Sequence, residues 1–232
     1  MKVSKFENVY QITIFPKIFP INCFVIEKDT HLIVIDMGMT NFIKEVQSIS
    51  NKTNKPVSHL LLTHAHADHT NGVSQFKEEF PTAKVGISER DQKLLDGDFT
   101  LRGGEAEEKI KGGFSKKTVP TDFNFEETVE DISIIETPGH TPGSVSFLDN
   151  ETKFIFTGDA FQTKGGLAVS GKLNITFPFP KFATWSYETA VSSAKIIIDK
   201  QPAALYVGHG DMIKNPVDPM KQAVKTAQNN LK

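Results

Sequence analysis

Between Thr63 and His69 the chain reads Thr63-His64-Ala65-His66-Ala67-Asp68-His69, so three of the seven histidines in the sequence crowd one turn beside an aspartate. Imidazole nitrogen and carboxylate oxygen are ligands that Zn2+ and Fe2+ accept, and imidazole is available in its neutral form at physiological pH. The small side chains of Ala65 and Ala67 leave room for ligands to converge. The apolar run Val57–Thr63 predicts a strand, which hangs the cluster from a strand end, a rigid place to mount ligands. Alternation sends His64 and His66 one way, and a tight turn aims Asp68 and His69 at a neighbouring point, so one segment could serve two adjacent ions. The bland alternative is a solvated histidine-rich turn.

Three later segments supply matching parts. Glu136-Thr137-Pro138-Gly139-His140-Thr141-Pro142-Gly143 sets a histidine in a stiff turn after a strand. Phe156-Thr157-Gly158-Asp159-Ala160 and Val207-Gly208-His209-Gly210-Asp211 set an aspartate and a histidine at strand ends beside glycine, where backbone can approach closely. Each alone has an ordinary structural reading; together with the 63–69 turn they become candidate ligands. His31, at a strand start, and His59, within Val57–Thr63, are expected to stay outside the set.

The elements that must position these residues follow from periodicity. Val9–Phe15, Cys23–Ile26 and Leu32–Ile35 read as strands, and Asp36-Met37-Gly38 ends the third. Thr40 is expected to cap a helix reaching Lys52, with Phe42, Ile43, Val46 and Ile49 on one face. Thr70–Phe80 reads as a helix, Ala83–Ile87 as a strand, and Ser88 as the cap of a helix over Glu89–Leu95. Glycine-rich 96–114 reads as a mobile connection or a short helix, either a solvated loop or a lid. Strands resume at Phe123–Phe125, Ile132–Glu136, Ser144–Leu148 and Lys153–Phe156; Thr184 is expected to cap a helix to Lys200; Ala203–Val207 is a strand and Pro216–Leu231 a helix. Alternating strands and helices imply a layered α/β architecture, expected as one domain over residues 1–232.

Composition bounds the partners. With 232 residues, 38% hydrophobic and 23% charged, the chain can bury a sizeable core, and a net charge of −2 makes nucleic acid and anionic membrane poor partners. Cys23 is the only cysteine, which leaves no internal disulfide. The polar N-terminus and the lack of a long apolar run make the chain as it stands read as cytoplasmic.

From Asn22 to Gly210 the chain resembles the metallo-β-lactamase superfamily, on His64-x-His66-x-Asp68-His69 followed in order by His140, Asp159 and His209. The resemblance implies an α/β (α+β) fold, the four-layer αβ/βα sandwich. It implies a first ion held by His64, His66 and His140, a second held by Asp68, His69 and His209, and Asp159 bridging both. Asp36 matches an early aspartate that orients the histidine cluster from behind. Two Zn2+ ions are the first choice, with Fe2+ or Mn2+ as alternatives, because the set has no thiolate. The expected reaction is attack on a carbonyl by a hydroxide shared between the ions, with Asp68 as the catalytic group that steers it or passes a proton to the leaving group.

The substrate is expected to be a small molecule, first a thioester, as in the glyoxalase-II-like branch. The basic residues that bind glutathione in that branch have no match in Gly210-Asp211-Met212-Ile213-Lys214-Asn215. The alternative is a lactone of the acyl-homoserine type, although those enzymes carry tyrosine three residues after the bridging aspartate and this chain has Gln162. A β-lactamase or a non-catalytic metal-binding module ranks lower. His66 stands where relatives that reduce oxygen or nitric oxide carry glutamate. The irregular stretch 162–181, with neighbouring Phe161 and Phe182, holds Leu167, Leu173, Ile175, Phe177 and Phe179. These read as satellite core, as an apolar wall for an acyl chain, or as a homodimer contact. Lys164 or Lys172 could meet a substrate carboxylate.

Overall fold

Alternation and β-branched content make the stretch up to Ile35 a meander. In a computed structural model that describes residues 1–174 and 177–231, it comprises β1 (Lys2–Phe6), β2 (Val9–Ile14), β3 (Ile21–Glu27) and β4 (Leu32–Ile35), all antiparallel. β5 (Val57–Leu61), β6 (Lys84–Ile87) and β7 (Phe123–Asn124) extend this sheet in parallel, giving the order β1-β2-β3-β4-β5-β6-β7. A second sheet has the order β15-β14-β11-β10-β9-β8, from β8 (Thr128–Val129), β9 (Ile132–Glu136), β10 (Val145–Asp149), β11 (Phe154–Phe156), β14 (Ala204–Tyr206) and β15 (Ile213–Lys214). The ribbon β12 (Phe161–Gln162) with β13 (Ala168–Val169) stands apart.

The sheets pack face to face because alternate residues point inward. Phe24, Ile26, Ile33 and Ile35 meet Phe147, Phe156 and Tyr206 in one buried cluster, with Phe24 and Phe156 ring centroids 5.4 Å apart. Each such side chain contributes about 2–3 kcal/mol by leaving water. The intervening residues Cys23, Val25 and Val34 face out, onto α1 (Asn41–Thr53), α3 (Val73–Glu79) and α4 (Glu89–Leu95). α6 (Tyr187–Asp199) and α7 (Val217–Asn229) cover the outer face of the second sheet through Val191, Ala194, Ile197, Met220 and Val224. Helix, sheet, sheet, helix is the four-layer arrangement. Among the described residues no helix is long and apolar enough to cross a membrane.

Several local expectations need correcting. β1 is a strand although four of its five side chains are exposed, because an edge strand needs no apolar alternation. Thr40 adopts helical dihedrals and makes no side-chain cap bond. The expected 70–80 helix is two pieces, α2 (Ala67–Thr70) and α3, broken at Gly72, whose N–H donates to Met37 O at 2.7 Å. Thr184 does not cap α6; Ser186 does, and Thr184 is extended and follows a short helix, α5 (Phe179–Ala183). The 96–114 stretch forms no helix and is fastened at several points: Arg90 pairs with Glu105, Trp185 Nε1 donates to Glu108 O, and Ile110 is buried in the core. Ile175 lies outside the described residues.

Candidate metal site

β4 and β5 run parallel, as do β11 and β14, so their C-terminal ends open onto one end of the sandwich together with the β9–β10 turn. Asp36 follows β4, the 63–69 turn follows β5, and His140 lies in the β9–β10 turn. Asp159 follows β11 and His209 follows β14. All seven candidate ligands and Asp36 meet there. Six of the seven are buried, with His69 at 0% exposure and Asp159 at 6%, while Asp68 is half-buried and lies on the first turn of α2.

Three sets of donors have atoms within 4.8 Å of one another: His64, His66 and His140; Asp68, His69 and His209; and His64, His69 and Asp159, which links the other two. Asp159 sits between them. Its carboxylate lies 3.4 Å from His69 Nε2, 3.3 Å from His140 Nε2 and 3.1 Å from His209 Nε2. His66 Nδ1 and His140 Nε2 are 2.9 Å apart. Tetrahedral ligands about an ion with Zn–N bonds near 2.0–2.1 Å would be separated by roughly 3.3–3.4 Å; the Asp159 distances of 3.1–3.4 Å are close to this, and the His66–His140 pair stands closer together.

Each imidazole is oriented from behind, which determines the nitrogen it offers. His69 Nδ1 bonds Asp36 Oδ2 at 2.7 Å, His209 Nδ1 bonds Pro20 O at 2.6 Å, and His64 Nδ1 lies 3.0 Å from Thr63 Oγ1. His140 Nδ1 meets Ser170 Oγ at 2.9 Å and Thr184 Oγ1 at 3.3 Å. These four present Nε2. His66 is reversed: its Nε2 donates to Lys111 O at 2.9 Å, so Nδ1 faces the group. A ring N–H held this way leaves the other nitrogen with a free lone pair.

Two buried carboxylates tie the loops together. Asp36, in the left-handed region at φ 59°, accepts from Thr63 N and Thr63 Oγ1 as well as His69. Asp91, unforeseen from sequence, accepts from Ala65 N at 2.8 Å, Thr141 Oγ1 at 2.7 Å and Gly143 N at 2.8 Å, joining the His64–His69 turn to the His140 turn. Asn22 is a third unforeseen support; its Nδ2 donates to Val207 O and Gly210 O on either side of His209. An aspartate in the charged first turn of a helix and an asparagine at a strand start look like solvated residues in sequence, so neither carried a signal. His31 and His59 stay apart, His31 beside Thr30 and His59 beside Ser58 and Phe123.

Burial disfavours charge on all these groups, and their mutual fields decide the outcome. Desolvation, only partly opposed by Asp159, holds His140 down to about 3. Burial also opposes a charge on His209, yet Asp159 and Asp68 outweigh it and push it up to about 10. Asp159 lies well below an ordinary carboxylate despite burial, because His209, His69 and His140 surround it. Without another cation, protonated imidazoles such as His209 must supply the positive charge that these buried carboxylates need, a place that divalent cations ligated by the ring nitrogens would take over. His64 Nε2, His69 Nε2 and Asp159 Oδ1 are buried with no hydrogen-bond partner. Gly208 keeps that space open, since a Cβ there would stand 2.2 Å from Asp159 Oδ1. The donor set therefore fits divalent metal ions.

The site opens into a cavity of about 480 Å³ floored by His66, Asp68 and His209 and rimmed by Phe19, Phe179 and Phe182. Phe179 and Phe182 are exposed, whereas Phe161 and Phe177 are buried and Leu167 packs against the second-sheet core. Part of the expected apolar wall is thus real and part is core.

A four-layer sandwich with paired His/Asp donor groups at one end defines a class of metal-binding α/β proteins. The family model of the metallo-beta-lactamase superfamily matches residues 16–209, and the chain belongs to that superfamily. It is 44% identical over 231 residues to the uncharacterised protein YobT of Bacillus subtilis, covering 98% of this chain and 99% of that one. It is 32% identical over 162 residues to the hydroxyacylglutathione hydrolase GloC of Haemophilus influenzae, covering 65% of this chain and 68% of that one. The fold is similar to that of TTHA1623, crystallised in a di-iron-bound form, with TM-score 0.65 and 23% identity over 90% of this chain and 96% of that one.

Proposed function

We propose that the protein is a two-metal hydrolase of carbonyl compounds and that its preferred substrates are thioesters. The observation that carries this reading is Asp159 lying within 3.1–3.4 Å of ring nitrogens from both donor groups, at the floor of an open cavity. His64, His66 and His140 would hold one ion, Asp68, His69 and His209 the other, and Asp159 both. When bound, such a pair acidifies water toward neutrality and polarises a carbonyl. Zinc is the first choice for an all-nitrogen-and-oxygen set, with iron and manganese as alternatives.

The chain's own residues do the rest. Asp68 lines the cavity with its side chain 31% exposed, and its Oδ2 lies 3.4 Å from His209 Nε2. Burial alone would raise its pKa, but His209 and His69 hold it well below the ordinary range. It is therefore ionised at neutral pH, and its carboxylate can steer the attacking water by accepting a hydrogen bond from it. Phe19 and Phe179, with ring centroids 5.0 Å apart, shield one side of the mouth from water and offer an apolar bank for the acyl part. The thioester preference is supported by the similarity to the Haemophilus hydroxyacylglutathione hydrolase. The lactone alternative has less support: Gln162, at the position of the expected hydroxyl clamp, is buried and does not line the cavity.

The test is a panel of thioesters, lactones and a chromogenic β-lactam on metal-loaded protein. Thioester turnover that disappears on chelation and returns with Zn2+, Fe2+ or Mn2+ is expected. Hydrolysis undiminished in metal-free protein would reject the mechanism, and preferential lactone or β-lactam turnover would reject the substrate class.

A further inference from the structure

Two aromatic segments frame the mouth of the metal-site cavity, and each is tied to the back of a candidate ligand. Phe19 precedes Pro20, whose carbonyl accepts from His209 Nδ1 at 2.6 Å. Phe182 comes two residues before Thr184, whose hydroxyl lies 3.3 Å from His140 Nδ1, and Trp185 N donates to His140 O at 3.0 Å. Phe179 and Phe182 stand three residues apart on α5 and so share one side of that turn. With Phe19 and Met39 they line the cavity. The Phe19 ring lies 5.0 Å from the rings of both His209 and Phe179, so aromatic surface runs unbroken from a ligand to the rim. At that rim Phe179 is 52% exposed and Phe182 67%. Aromatic rings left in water at a cavity mouth, yet held in register with its floor, offer surface to a guest.

Charge narrows what that guest is. Outside the ion donors, no charged side chain lines the cavity among the described residues, and Asn71 is its only other polar side chain. Lys164 and Lys172, the lysines considered for a substrate carboxylate, are placed elsewhere. Lys164 Nζ donates to Lys17 O at 2.7 Å, and Lys172 lines a different hollow. Lys116 and Lys117 line a separate depression beyond Asn71. A carboxylate drawn out of water among Phe19, Phe179 and Phe182 would find neither a cation nor a donor to replace its hydration. A methyl or methylene group there loses nothing and leaves water.

We propose that the cavity selects thioesters whose acyl group is uncharged and apolar, and that Phe179 and Phe182 set this preference. The selection among thioesters rests on the hydrolase reading; the binding of an apolar guest at the rim does not.

Metal-loaded protein is assayed with the acetyl, butyryl, hexanoyl and adipoyl thioesters of N-acetylcysteamine, a neutral thiol, so that only the acyl group varies. From acetyl to hexanoyl, kcat/KM should rise about two- to threefold per methylene, short of the roughly fourfold that complete burial brings. Adipoyl carries a carboxylate where hexanoyl has its terminal methyl, and should fall about tenfold or more below hexanoyl. F179A/F182A should cut the hexanoyl-to-acetyl ratio by about fivefold. F182K should narrow the gap between hexanoyl and adipoyl by about tenfold, because an ammonium then meets the carboxylate. A flat chain-length series, adipoyl turned over as well as hexanoyl, or ratios that F179A/F182A leaves unchanged would overturn the proposal. Calorimetry with 2-octanone and 2-butanone, neutral ketones that are not hydrolysed, reads the rim without turnover. Tighter binding of 2-octanone that F179A/F182A removes, in a protein that hydrolyses no thioester, keeps the apolar site and loses the hydrolase reading. Thioester turnover with equal binding of the two ketones does the reverse.

Discussion

The sandwich gathers carboxylates at both of its ends, and the two ends solve the problem of buried charge differently. At the end away from the candidate metal site, Asp131, Asp149 and Glu151 stand close enough to ligate an ion. There the cation is built in: Lys28 Nζ lies 2.6 Å from Asp131 and 3.0 Å from Asp149, clamping the β3–β4 turn of one sheet to β10 of the other. Burial alone would lower the Lys28 pKa, but the two aspartates raise it above its ordinary value, so the ammonium stays charged. At the site end no lysine or arginine joins the donors among the described residues, and two ring nitrogens with one carboxylate oxygen point into the gap without a hydrogen-bond partner. What marks a metal site is thus the donors left unsatisfied after the protein's own cations are counted, rather than the number of acidic groups.

Substitutions can break this contrast, and the largest effect is expected where one residue serves both donor groups. D159A should weaken metal binding by more than about a hundredfold, beyond what losing a supporting hydrogen bond brings, and should abolish turnover. Titration with Co2+ followed by visible absorption reads the loss directly. G112A should lower metal affinity by about 10–100-fold, since its Cβ would stand 1.9 Å from His66 Nε2 at a φ of 104°. G113A is the control, because a Cβ there meets nothing within 4 Å. D36N should cost about tenfold in affinity by weakening the bond that holds His69 and, through Thr63, the one that orients His64.

At the far end, D149N should leave metal content unchanged and cost on the order of 1–3 kcal/mol of stability, less than a fully stranded buried charge would, because Lys28 keeps Asp131 at 2.6 Å. Burial would push Asp149 up, but the Lys28 ammonium and the Glu151 amide hold it below its ordinary value of 3.8. Its contribution is therefore present above pH 3.8 and is lost as pH falls through the lower folded value. Acid denaturation of D149N should consequently show a flatter stability curve in that range than wild type. Parallel curves would remove the clamp from the account.

The candidate site was legible because chemistry concentrates at His64–His69 and because glycine precedes Asp159 and brackets His209; those signals survive without coordinates. The α/β layering followed from apolar runs such as Leu32–Ile35, whereas the sandwich itself came only with the family resemblance. What stayed hidden has physical reasons. Asp91 and Asn22 act through backbone amides and carbonyls of segments far away in sequence, and no local pattern encodes that. Thr184 looks like a helix cap because threonine commonly is one, but its hydroxyl is drawn to His140 and Pro180 O while Ser186 takes the cap. The 96–114 stretch lacks periodicity because its anchors are single contacts, among them Lys111 O on His66 and Gly113 O on Ala67 N, rather than a repeating face.

Elemental analysis of metal-reconstituted wild type beside D159A addresses the central claim most directly. About two divalent ions per wild-type chain, falling to one or fewer in D159A, is the predicted result. A wild-type chain that retains none, or a D159A chain that retains as many as wild type, would contradict it.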